Sequence, residues 1–260
     1  MVELPPNEYR ALIQAIEQAI GQAAAAPAAA TAAPLPLPTA ARGLAAAIEH
    51  TLLAPDATAA QIAQLCAEAE AWGCAAVCVN PAWVAAAAAR LRPTPVRVVA
   101  TVAFPLGAAP TAVKRAEAAE CLKLGADELD MVINLGALLG GADSQVRADI
   151  RGVVELAHAA GAPVKAILET GLLSQAHKVR ACELALEAGV DFVKTSTGFG
   201  PGGATVADVA LLRATVGDRA GVKASGGIRT LAQAQALLAA GASRLGTSHT
   251  AAILAELPRP

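Results

Sequence analysis

CELALEAGVDFVKTST (residues 182–197) reads as the end of an amphipathic helix, then a glycine, then a short apolar strand that carries a lysine. The order has a physical meaning. A helix stops readily where the following residue takes the left-handed conformation, which glycine reaches without steric cost. The run after it is too short for a helix and has the β-branched and aromatic content of a buried strand. The same phrase recurs in AEAEAWGCAAVCVN (67–80), AECLKLGADELDMVIN (119–134) and AQALLAAGASRLGTS (234–248), with a looser copy in VVELAHAAGAPVKAILET (153–170). Helix and strand alternating in this way build a parallel sheet. Strand candidates fall at 45–49, 75–79, 96–102, 127–132, 163–168, 190–194, 221–224 and 243–246. Eight strands close a (β/α)8 TIM barrel, the fold class predicted for this α/β chain. An open doubly wound sheet is the competing arrangement, but no G-x-G-x-x-G opens a first βα turn.

The 260 residues suit one barrel domain, assigned to 44–260, preceded by an extension at 1–43. Within the extension Tyr9, Leu12, Ile13, Ile16 and Ile20 lie at helical spacing, which predicts a helix over 7–22; the Ala/Pro-rich stretch 23–40 reads as a linker. The chain is 55% hydrophobic and only 2% aromatic, so aliphatic side chains must fill the core. A net charge of −2 without blocks of like charge gives no basis for nucleic acid or an anionic membrane as partner. Five cysteines, none in a C-x-x-C pair, argue against a disulfide framework and for a reducing cytoplasm. No signal peptide and no membrane span is expected.

The repeat also supplies a register. Five residues beyond the helix-ending glycines Gly73, Gly125, Gly189 and Gly241 stand Cys78, Asp130, Lys194 and Gly246, equivalent positions at the C-terminal ends of their strands. In barrel enzymes that rim carries the chemistry. Alternation puts Lys194 on the side of Phe192, and Asp130 on the side of Glu128.

Three lysines, Lys165, Lys194 and Lys223, sit in or at the ends of neighbouring apolar strands. Lysine is rarely buried unless paired or functional. A lysine snorkelling to solvent, or an aspartate that merely pairs with it, is the bland alternative for each residue alone. Together they suggest an ionisable cluster. Schiff-base chemistry needs a neutral amine, yet an ordinary lysine is deprotonated only about once in 2,500 at neutral pH. Disfavouring its cation by roughly 4 kcal/mol would lower the pKa by about 3 units, and one ammonium about 4 Å away at an effective dielectric near 20 supplies that much. Lys223, on the next strand, is the candidate neighbour of a nucleophilic Lys194. Asp130 is the candidate proton carrier, acting directly or through water.

The last two strands run into ASGGIRT (224–230) and RLGTSHT (244–250). Turns after strands 7 and 8 of a barrel commonly hold phosphate on backbone N–H groups, and Ser225, Thr247 and Ser248 add hydroxyl donors. A phosphorylated substrate is expected. The four histidines form no metal-ligand pattern, so neither a metal nor another cofactor is expected.

With these residues in place, the chain resembles the deoxyribose-phosphate aldolase family over roughly Leu44 to Leu254. The likeness rests on EHTLLAPDAT (49–58), AAVCVNPAWV (75–84), ELDMVINLG (128–136), VKAILETGLL (164–173), DFVKTSTGFGPGGAT (191–205), VKASGGIRT (222–230) and ASRLGTS (242–248). It implies a class I aldolase that reversibly cleaves 2-deoxy-D-ribose 5-phosphate to D-glyceraldehyde 3-phosphate and acetaldehyde. It implies Lys194 as Schiff-base lysine, Lys223 as its pKa-lowering partner and Asp130 as proton relay. Lys165 becomes a supporting charge, Cys78 a pocket-lining residue, and Gly198, Gly226, Gly227, Gly246, Thr247 and Ser248 a phosphate grip. The chain departs from the pattern at Glu49, where the family usually has aspartate; the carboxylate reaches one methylene further. Alanine-rich outer helices suggest a homo-oligomer, dimer or tetramer. The rival readings are a Schiff-base barrel aldolase for another sugar phosphate, a sugar-phosphate isomerase barrel and a non-catalytic sugar-phosphate-binding barrel.

Overall fold

The computed structural model describes residues 43–257. The helix expected at 7–22 and the linker expected at 23–40 lie outside the described residues. The strands are β1 (Ile48–Leu52), β2 (Ala76–Val79), β3 (Arg97–Val102), β4 (Glu128–Val132), β5 (Val164–Ile167), β6 (Phe192–Lys194), β7 (Gly221–Ser225) and β8 (Arg244–Thr247). They pair in sequence order, all parallel, and β8 returns to β1 to close the barrel. The helices between them are α1 (Ala59–Trp72), α2 (Val84–Leu91), α3 (Thr111–Lys123), α4 (Leu135–Leu139), α5 (Asp143–Ala159), α6 (Gln175–Ala188), α7 (Val206–Val216), α8 (Leu231–Ala239) and α9 (Thr250–Ala255).

Local chemistry sets the element ends. Thr58 and Thr230 cap α1 and α8 in reciprocal capping boxes with Gln61 and Gln233. Ser174 and Thr205 cap α6 and α7 through their side-chain oxygens. At the other end Gly73 (φ 70°) and Gly189 (φ 91°) close α1 and α6 in the left-handed conformation, as the repeat predicts.

The first strand is a correction. It was expected at 45–49, but residues 43–45 are helical and β1 starts at Ile48. A short alanine-rich apolar run does not distinguish helix from strand by periodicity. The shift matters, because it moves Glu49 from the end of β1 to its beginning. The other seven strands lie within two residues of the expected bounds.

The hydrophobic core lies between the barrel and its helices, where outward-facing residues such as Val77, Leu129, Ala166, Val193, Val222 and Leu245 meet apolar helix faces. Inside the barrel the levels alternate between odd and even strands. Cys78, Asp130, Lys194 and Gly246, equivalent in the repeat, form one level from the even strands, and Ala76, Glu128, Phe192 and Arg244 form the level below. Between them sit Glu49, Val99, Lys165 and Lys223 from the odd strands. The register shows this directly: Lys165 pairs with both Asp130 and Phe192, and Lys223 with both Lys194 and Arg244. The interior is charged from β4 round to Glu49 on β1. Beside it lies a small apolar wall of Leu53, Ala76, Cys78 and Val99, with Phe104 packed against it.

Candidate active site

Asp130 occupies the centre of the charged half. Its Oδ2 accepts from Lys194 Nζ at 2.7 Å and from Lys223 Nζ at 2.5 Å, and its Oδ1 accepts from Lys165 Nζ at 3.0 Å. All four side chains are buried. Burial by itself would raise the Asp130 pKa, but the Lys165, Lys194 and Lys223 ammonium groups outweigh it and hold the carboxyl well below its ordinary range. Lys194 and Lys223, its candidate neighbour on the next strand, therefore meet on one carboxylate oxygen.

Lys223 is also hydrogen-bonded to Glu49 Oε2. Burial disfavours its cation, yet Asp130 and Glu49 together push its pKa above the ordinary lysine value. Lys165 is raised in the same way, since Asp130 and Glu49 outweigh its burial, and its ammonium lies 2.5 Å from Glu128 Oε2. These two lysines are fixed charges. Below them Arg97 and Arg244 approach Glu128, and the Phe192 ring lies 5.8 Å from Lys165 Nζ and 5.7 Å from the Arg244 guanidinium carbon. Gly246 makes room for the arrangement: a Cβ there would stand 3.0 Å from Lys223 Cε and 3.1 Å from Ser225 Cβ.

The longer side chain at Glu49 has a visible consequence. Its Oε2 reaches Lys223, while Oε1 lies 3.5 Å from both Lys165 and Arg244 and makes no hydrogen bond. Glu49, Cys78 and Asp130 bring ligand-type atoms within 4.8 Å of one another, but the Lys223 ammonium already bonds both carboxylates. Cys78 is wholly buried, and burial pushes its thiol up to about 11, so it presents no thiolate at neutral pH.

A cavity of about 510 Å³ opens above this network at the C-terminal mouth. Of the three barrel lysines Lys194 alone lines it; Lys165 and Lys223 lie beneath. Gly198, Ser225, Gly226, Gly227, Gly246, Thr247 and Ser248 all line it as well, gathered from the ends of β6, β7 and β8. Among the described residues the N–H groups of Gly198, Gly226, Gly227 and Ser248 have no protein acceptor.

The expectation that Ser225 and Thr247 offer hydroxyl donors is corrected by the geometry. Ser225 Oγ donates to Ser196 O at 2.5 Å, and Thr247 Oγ1 donates to Ile228 O at 2.7 Å, so both hydroxyl protons hold the turns together. Ser248 is exposed, its Oγ 3.1 Å from His249 Nδ1. Backbone N–H groups remain as the main donors. The sequence reading missed Thr197, Phe199 and Arg229, which also line the cavity, and Glu169, which underlies it. The GIRT and TSTGFG phrases contain all but Glu169, which stands in VKAILETGLL (164–173); only Arg229 and Glu169 carried a charge as a signal.

The family model for DeoC/LacD aldolases matches residues 44–252. The chain belongs to that family. It is similar to the deoxyribose-phosphate aldolase of a Geobacillus strain, 54% identical over 211 residues, covering 81% of this chain and 94% of the relative. It is also similar to that of Thermococcus gammatolerans, 56% identical over 203 residues, with 77% and 90% covered. Among solved structures, a tetrameric deoxyribose phosphate aldolase from Aeropyrum pernix superposes with a TM-score of 0.78 at 36% identity, covering 82% of this chain and 90% of the other. A Coccidioides immitis protein provisionally assigned the same activity superposes at 0.81, with 38% identity over 98% and 99% of the two chains. The family's enzymes are class I aldolases, carbon–carbon lyases, on the same barrel. Among the described residues no helix is long and apolar enough to cross a membrane.

The ion network predicts how acid affects the fold. Burial would raise the Glu128 pKa, but Lys165, with Arg244 and Arg97, lowers it below 4.5. A carboxyl depressed in the folded state stabilises above its unfolded pKa, and the contribution is lost as pH falls through the folded value. Glu128→Gln should therefore destabilise the protein by about 3 kcal/mol near neutral pH, with the deficit closing as pH falls through the depressed folded-state value, below the ordinary glutamate range. Urea denaturation of both proteins from pH 3 to 7 measures it; a deficit that does not change with pH would remove Glu128 from the network.

Proposed function

We propose that this chain is a deoxyribose-phosphate aldolase whose nucleophile is Lys194. The observation that carries the reading is that Lys194 faces the cavity while its ammonium shares one Asp130 oxygen with Lys223. Three buried carboxylates, Glu49, Glu128 and Asp130, face four buried cations, Lys165, Lys194, Lys223 and Arg244. Of these lysines Lys194 alone is open to the cavity, so its amine is the one a substrate can reach.

In the forward cleavage the Lys194 amine attacks C1 of the open-chain sugar to form a carbinolamine. Loss of water leaves an iminium, which draws in the electron pair of the C2–C3 bond as the C3 hydroxyl loses its proton. D-glyceraldehyde 3-phosphate leaves, with an enamine on Lys194. Protonation at C2 and hydrolysis release acetaldehyde and free the amine. Asp130 takes the proton in the steps that release one and returns it, directly or through a water, in the steps that need one. Lys223 acts as the fixed positive charge that disfavours a second one on Lys194. The free N–H groups of Gly198, Gly226, Gly227 and Ser248 hold the phosphate, with Arg229 at the rim. Leu53 on the cavity wall faces the two-carbon fragment; Cys78, expected to line the pocket, packs beneath it with Val99.

Five buried, unpaired cysteines suit a reducing cytoplasm. The tetramer named for the Aeropyrum pernix relative supports assembly of this chain as a dimer or tetramer. Analytical ultracentrifugation at micromolar concentration should show no monomer peak; a single monomer species would refute assembly.

Two outcomes test the chemistry. Borohydride added with acetaldehyde should leave a reduced two-carbon adduct on Lys194, read by peptide mass spectrometry; an unmodified Lys194, or undiminished turnover in Lys194→Ala, would overturn the mechanism. In Lys223→Leu the acidic limb of the pH–rate profile should move to higher pH, because removing a cation and freeing two carboxylates both favour a protonated amine. An unmoved limb would rule out the electrostatic role of Lys223.

A further inference from the structure

Glu169 stands just beyond β5 in a conformation that non-glycine residues rarely adopt, with φ 52° and ψ 61°. Its side chain is buried, at 3% exposure, yet no lysine, arginine or histidine forms an ion pair with it among the described residues. Every bond its carboxylate makes runs to Thr197. The Thr197 N–H donates to Oε1 at 3.4 Å and to Oε2 at 3.3 Å, and the Thr197 hydroxyl donates to Oε2. Thr197 Oγ1 in turn accepts from the Phe199 N–H at 3.1 Å.

The turn is moulded around this carboxylate. A Cβ at Gly200 would lie 2.8 Å from Glu169 Cδ, so the chain passes directly over the acid group. Behind it the Thr170 N–H donates to Thr195 O at 2.9 Å, locking the ends of β5 and β6 together. A strained backbone persists where the surroundings over-determine it, and here they hold a buried carboxyl group against a single turn. The turn's inner face is Thr197, Gly198 and Phe199, all on the cavity wall. Glu169 itself does not line the cavity.

We propose that Glu169 is a positioning residue for the 197–200 turn, fixing the Gly198 N–H toward the substrate's phosphate and so governing preference for phosphorylated substrates rather than chemistry at Lys194. The inference rests on the phosphate reading of this cavity. A carboxylate with two acceptor oxygens holds the Thr197 N–H and hydroxyl simultaneously, which fixes the peptide plane that leads into Gly198. A shorter or absent side chain leaves that peptide free to rotate and takes the donor off its aim.

The test uses two variants of the full chain. Glu169→Gly suits the left-handed backbone and removes the carboxylate, so it separates strain from hydrogen bonding. Glu169→Gln keeps the shape and one acceptor. With 2-deoxyribose 5-phosphate against unphosphorylated 2-deoxyribose, the ratio of kcat/KM values should fall by about ten-fold or more in Glu169→Gly, mostly through KM, and be partly restored in Glu169→Gln. Inhibition by inorganic phosphate should weaken in parallel. If the wild type shows neither a preference for the phosphorylated sugar nor inhibition by phosphate, the phosphate reading itself fails. If the wild type shows both and the glycine variant retains them, or if kcat falls equally for both sugars, the role assigned to Glu169 is overturned.

Discussion

A single carboxylate inside a barrel, receiving hydrogen bonds from three ammonium groups, is the constraint around which the rest is arranged. Asp130 bonds Lys165, Lys194 and Lys223 at 2.5–3.0 Å with none of the four appreciably exposed. Charges taken out of water need close partners, or the cost of desolvation outruns the attraction. The interior meets that need with a counter-ion set: Glu49 on Lys223, Glu128 on Lys165, and Arg97 and Arg244 beneath Glu128. Gly246 fills a place where a larger side chain would intrude. Stability against such a polar interior comes from the other face of the sheet, where aliphatic residues meet the alanine-rich helices.

The same arrangement divides labour among lysines that look alike in composition. Lys165 and Lys223 lie below the cavity floor, raised in pKa by flanking carboxylates, and serve as permanent cations. Lys194, one level higher, is where the interior meets the cavity. As the proposed nucleophile, Lys194 at that boundary would have its counter-charges on one side and its substrate on the other, without reorganisation at the moment of reaction. Beside these charges Cys78 and Val99 pack with Leu53 and Ala76 as an apolar wall.

The cavity rim follows a different logic. There the polar side chains mostly brace backbone: Ser225 on Ser196 O, Thr247 on Ile228 O, Glu169 on Thr197. The groups left over for a ligand are main-chain N–H donors. Glycines at the turns allow close approach, and the neighbouring hydroxyls hold the peptide planes in place. Two of the hydroxyls in these phrases, on Ser225 and Thr247, are thus spent inside the turns.

The helix–glycine–strand repeat, read without coordinates, determined the closed eight-stranded barrel, because cap conformations and strand lengths are local properties encoded in adjacent residues. The same spacing determined that Cys78, Asp130, Lys194 and Gly246 share one level, since a regular repeat keeps equivalent positions in register. What needed tertiary structure depends on which groups face each other across the barrel. The start of β1, and with it the depth of Glu49, is set by pairing with β2 and β8 rather than by the ambiguous AAAIE run. The assignment of three carboxylates among the cations, the engagement of the Ser225 and Thr247 hydroxyls within the turns and the left-handed Glu169 under the 197–200 turn arise from contacts between distant segments. Electrostatic attraction and hydrogen-bond geometry act through space, and only the closed barrel brings those segments within their range.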